Sequence, residues 1–145
     1  MVGFNIVKAL RDVPSRLLPV ASATFVAGDL LELTAGSVNW AKVTSSSNFF
    51  TRKAIVHSPG TSVTAVLAQE LDGTELVQAA SADDTVTSDN GDRMAATDEN
   101  TVNNSSSDVT GQAVVFVQTG IVGATGDKQI VGYVLVGNGV DPDAA

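Results

Sequence analysis

The chain has 145 residues with 8 basic and 16 acidic side chains, a net charge of −8 and a sequence pI near 4.3. A negative body repels phosphate backbones, which argues against a nucleic-acid partner, and no run approaches the roughly 20 apolar residues that span a bilayer. Cysteine is absent, which excludes disulfide staples and thiolate metal sites.

Hydrophobic residues make up 43% of the chain but aromatics only 5%, so the core must be built from Val, Ala, Leu and Ile, a composition that favours strands. The first segment differs in charge from the rest. Residues 1–25 hold Lys8, Arg11 and Arg16 against Asp12, net +2, and leave the remainder at net −10. Pro14 and Pro19 disfavour helix just before them. This predicts an extended N-terminal arm over residues 1–24, with Phe4, Ile6, Val7 and Leu10 as apolar anchors and Lys8, Arg11 and Arg16 as charged contacts to a partner. The competing readings make Phe4 to Leu10 an ordinary core strand or helical turn, and Ser15 to Phe25 the first strand of the body. Pro19 also breaks the apolar stretch that an export signal would need, so the sequence reads as that of a soluble protein made in the cytoplasm.

From Phe25 onward the signals are those of strands and turns. Ala27-Gly28-Asp29 is turn chemistry, Leu30 to Leu33 is apolar, Thr34 to Ser37 turns again and Val38 to Val43 alternates, which reads as a hairpin. Further strands are predicted at 54–57, 62–68, 74–79, 93–97, 112–118 and 129–136. The last two are almost continuously apolar, as strands covered on both faces are, and mark the centre of the core. Between Ala80 and Val109 the chain is polar and acidic, with Asp83, Asp84, Asp89, Asp92, Asp98, Glu99 and Asp108 against Arg93 alone, and reads as a long surface loop. The expectation is one all-β domain over residues 25–137, a small barrel, tulip or sandwich of short antiparallel strands, followed by an exposed tail at 138–145.

Chemistry has few candidates. His57 is the only histidine; at a strand end before Ser58-Pro59-Gly60 it reads as a structural residue, although Ser and Asp are plentiful enough for a triad assembled in space. Asp83, Asp84, Asp89 and Asp92 offer oxygen ligands for a hard cation, but their spacing is not that of an EF-hand and Asp89-Asn90-Gly91-Asp92 reads as a solvated turn. Trp40, the only tryptophan, reads as core or interface. No cofactor and no catalytic set is expected.

The segments 20–43, 65–79 and 90–136 together resemble the head decoration, or cement, proteins of tailed bacteriophages. The likeness rests on a Phe-x-x-Gly-Asp turn at Phe25 to Asp29, a Leu-Thr-x-Gly hairpin at Leu33 to Gly36, and a Gly-Asp-Lys-x-x-x-Gly-Tyr stretch at Gly126 to Tyr133. The resemblance implies a non-enzymatic β domain on the outer surface of the virion, bound to the major capsid protein lattice, self-associated as a homotrimer and reinforcing the shell. A carbohydrate-binding or adhesive module of a phage tail or fibre is the alternative, weakened by the scarcity of Trp and Tyr for stacking on sugars.

Overall fold

A computed structural model of the chain describes residues 3–85, 87–105 and 109–142. Among these the strands are β1 Phe4–Lys8, β2 Arg16–Phe25, β3 Leu30–Leu33, β4 Ala41–Lys42, β5 Arg52–Val56, β6 Gly60–Glu70, β7 Leu76–Ser81, β8 Arg93–Asp98, β9 Thr101–Asn103, β10 Phe116–Ile121 and β11 Gln129–Val134. The one helical element among the described residues is a 3-10 turn at Thr87–Asp89. The protein is all-β, as its composition indicates.

The strands form two barrel-like sheets. In the first the order is β1-β7-β11-β10-β8-β9, and β9 returns to run parallel to β7 through Ala80↔Thr101 and Ser81↔Val102, which closes a ring. Strand β1 takes the earlier part of the same β7 edge, with Phe4 opposite Ala79 and Ile6 opposite Val77. The second sheet has the order β2-β6-β5-β3-β4 and is closed by a bridge between Val20 and Trp40. We call them ring 1 and ring 2.

Alternation decides which side chains point inward. In β7, Val77, Ala79 and Ser81 are buried while their neighbours are half-exposed. With Phe4, Met94, Val102, Phe116 and Ile130 they fill ring 1, and Leu18, Val20, Phe25, Leu31, Trp40 and Val66 fill ring 2. Each large apolar side chain so buried contributes about 1.5–3 kcal/mol. Pro19 sits in β2 without cost to the ladder: its carbonyl accepts from Trp40 N–H at 2.8 Å on the side away from β6, so the missing N–H would have faced that side too.

The rings are joined through the turn before β3. Phe4 N–H donates to Gly28 O at 2.8 Å and Leu30 N–H to Glu99 O at 2.7 Å, each bond linking one ring to the other. The approach is close: a Cβ on Gly3 would lie 2.7 Å from Gly28 O, so only glycine fits there.

Several expectations are corrected. Residues 1–24 are not a separate arm, because β1 and β2 are strands of the two rings. Phe4 is 2% exposed and packs edge-to-face on Phe116 at 6.3 Å, a burial that outweighs anything an arm would gain in solvent. The polar stretch 80–109 is not one loop either. It contains β8 as foreseen, and also β9, whose single apolar residue Val102 is fully buried. Asn104, 6% exposed, pins Asp83 and Asp84 by bonds to their backbone; Ser106, Ser107 and Asp108 lie outside the described residues. Strand β10 begins at Phe116 rather than Gln112. The tail is tied down at Gly139, which donates to Phe50 O and accepts from Ala35 N–H; residues 143–145 lie outside the description.

Candidate functional site

An open groove of about 570 Å³ lies between the rings. One wall is β1 with the residues after it, through Phe4, Ile6 and Ala9; the other is the end of β5, Ile55 and Val56. Asn5, Gln69, His57, Arg11 and Asp12 supply its polar groups. Strand β1 presents an open edge here. Phe4 N–H turns away from β7 to reach Gly28. In an antiparallel ladder alternate residues point the same way, so the N–H and C=O of Ile6 also face the groove, and no described residue bonds them.

The connection from β1 to β2 is strapped across this opening. Arg11 bonds Asp72 through two nitrogens, at 2.6 and 3.0 Å, and Arg16 and Arg52 both bond Glu70 at 2.7 Å. The Asp72 carboxyl also accepts from Thr74, and these bonds hold it well below the usual carboxylate range. Around Val13 and Pro14 the strap encloses a smaller hollow of about 300 Å³. Ser15 Oγ and His57 Nδ1 are 2.5 Å apart, which closes the strap. Among the described residues no carboxylate bonds the His57 ring, so the orienting partner of a hydrolytic triad is not in place.

The proposed contact residues are thus split. Phe4 and half-buried Ile6 belong to the core, and Arg11 and Arg16 are engaged in ion pairs, although their side chains remain 70% and 56% exposed. Val7 and Leu10 are 52% and 76% exposed. Lys8 is exposed and has no ion pair among the described residues. Val26, 48% exposed, adjoins Ala27 on the rim.

Buried charges, Lys53 and Asp29 among them, escaped the sequence reading. Lys53 is fully buried, its ammonium donating to Thr51 Oγ1 at 2.6 Å, Asn48 O at 2.8 Å and Thr51 O at 3.1 Å, and burial lowers its pKa to about 8. Only its β-strand position beside Ala54-Ile55-Val56 hinted at this. Asp29, 1% exposed, accepts from Val26 N–H at 3.0 Å through Oδ2, while Oδ1 has no partner. Burial pushes its carboxyl up, and Lys42, 4.0 Å away, is closer to Glu99 at 3.5 Å.

Trp40 is core, with Arg52 stacked 5.4 Å from its ring, so it offers no sugar platform. Among the described residues no three His, Asp or Glu side chains converge as a metal site. In comparison with known proteins, no family model matches the chain and no curated protein matches it.

Proposed function

We propose that the chain is a non-enzymatic binding module that attaches to a large protein lattice, as a decoration protein on the outer surface of a phage head, and reinforces it. The observation that carries this reading is the surface beside the groove. Exposed Val7 and Leu10, and Lys8 with no ion pair among the described residues, adjoin in the sequence the groove-lining Ile6, Ala9 and Arg11 and the open edge of β1, in a first segment of net +2 before a remainder of net −10. An extended segment of a capsid subunit could add to that edge by backbone hydrogen bonds, with alternate side chains entering the groove.

Removal of residues 1–14 would not isolate this surface, because it takes Phe4 out of the core. Single substitutions outside the core serve instead. Leu10→Asp and Lys8→Glu, which leave the rings intact, are expected to weaken co-sedimentation with assembled phage shells by about tenfold each, the loss of roughly 1.4 kcal/mol. Unchanged binding by both variants would remove the groove side as the attachment surface.

A further inference from the structure

The turn 26–29 that joins the rings carries a buried acid. Gly28 N–H donates to Val56 O and Asp29 O accepts from Val56 N–H, both at 2.9 Å, which fixes the turn to ring 2. On the other side Gly28 O and Leu30 N–H hold Phe4 and Glu99 of ring 1. Asp29 closes the turn on itself: its N–H donates to Val26 O at 3.2 Å, and its Oδ2 accepts from Val26 N–H at 3.0 Å. Its Oδ1 is enclosed without a partner. The charged groups that face Asp29 among the described residues are Lys42 on β4 and Asp98 and Glu99 at the turn from β8 to β9; β1 and β5 meet the turn through the backbone of Phe4 and Val56. Lys42 does not neutralise it. The ammonium stands 4.0 Å from Asp29 Oδ2, 3.5 Å from Glu99 Oε1 and 5.2 Å from the centre of the Phe25 ring, so one cation is divided between two carboxylates, and Asp98 adds a further negative charge.

We propose that Asp29 is a proton-operated latch between the rings: protonated, it keeps the turn seated, and ionised, it loosens the bonds from Phe4 to Gly28 and from Leu30 to Glu99. A buried carboxylate with an unsatisfied oxygen and two acidic neighbours gains by reaching water, and opening the turn supplies that water. The neutral acid lacks this drive. Burial already raises the Asp29 carboxyl above its ordinary value; the Val26 N–H and Lys42 oppose the rise, and Glu99 and Asp98 add to it. A group whose value is raised in the closed junction stabilises that junction below the ordinary carboxylate range, and the stability is lost as pH rises through the raised value. Glu70 and Asp72 act in the opposite sense, because their ion pairs and hydrogen bonds hold them low, so the strap they secure weakens only at more acid pH. Phe4, Ala27, Gly28 and Val56 all line the groove. The latch therefore sets how firmly the groove walls are held, whatever occupies the space between them.

Hydrogen exchange of the free full chain at about pH 4.5 and about pH 7.5, corrected for the intrinsic pH dependence of amide exchange, tests the latch. In the wild type, protection of the Phe4 and Leu30 amides is expected to fall about fivefold from the lower pH to the higher, while the amides of β10 and β11 keep theirs. Asp29→Asn, which retains the Val26 bond and every other titrating group, His57 included, should hold the same protection at both pH values. Two further variants keep the test open should Asp29→Asn fail to fold. Glu99→Gln leaves Lys42 to Asp29 and should shrink the pH effect, whereas Lys42→Met removes the shared cation and should enlarge it. Equal pH dependence in the wild type and Asp29→Asn, a loosening that spreads equally to β10 and β11, or Glu99→Gln and Lys42→Met variants that change the effect in the same direction would each overturn the proposal.

Discussion

Phe4→Ala separates a core strand from a free arm. Phe4 is 2% exposed, lies in the ring 1 core and meets Phe116 edge-to-face at 6.3 Å. Truncating a buried Phe to Ala removes its transfer energy and leaves a cavity, together about 3–5 kcal/mol. Because β1 pairs with β7 as its only strand neighbour and Phe4 is bonded on its other side to Gly28 alone, the site can partly collapse, which favours the lower end. For a chain of this size 1 kcal/mol moves the melting temperature by about 3 °C, so a fall of about 10 °C is expected. Urea unfolding of the variant should show a lower midpoint with an unchanged slope. Val7→Ala on the same strand, at a half-exposed position, should stay within about 0.5 kcal/mol of wild type. If Phe4→Ala costs less than about 1 kcal/mol, β1 is not held as described and the arm reading returns.

Two further predictions concern buried positions. Burial lowers the Lys53 pKa to about 8 from 10.5, so between those values the unfolded chain holds a proton that the folded one has released, and stability should rise with pH by on the order of 3 kcal/mol; urea midpoints at pH 7.5 and 10 should diverge more for wild type than for Lys53→Met, and equal slopes would refute the burial. A Cβ on Gly132 would lie 1.9 Å from Val117 O and 2.8 Å from the Phe116 ring, so Gly132→Ala should destabilise by about 2 kcal/mol or more, whereas Gly111→Ala, with nothing within 4 Å, should be neutral in the same melt; equal melting temperatures would contradict the packing.

Much of the fold was legible because inner and outer positions alternate over short segments bounded by Gly, Asn and Asp. Strands β3, β5, β6, β7, β8 and β11 lie close to their predicted places for that reason. Strand β1 is only five residues, FNIVK, and two prolines after it invited an extended reading; the backbone is indeed extended, but paired. Strand β9 has one apolar residue in a polar stretch, and only its partners β7 and β8 hold it as a strand. Ring closure was beyond reach, since Val20 meets Trp40 and Ala80 meets Thr101 through contacts that local pattern does not encode. The groove likewise draws on residues around 4–12, 27–28, 55–57 and 69. Of the residues singled out from composition, Phe4, Ile6 and Arg11 line it, whereas the Ser15–His57 contact and the buried Lys53 depend on distant neighbours.

The central claim is that a lattice partner covers the open edge of β1. Hydrogen exchange on the protein bound to assembled phage shells measures this directly, because the Ile6 amide faces the groove without a described partner and should exchange quickly when free. The account predicts that binding slows exchange at Ile6 and over Val7 to Leu10 while the core amides of β10 and β11 are unchanged. No binding, or protection confined to surfaces away from β1, would contradict it.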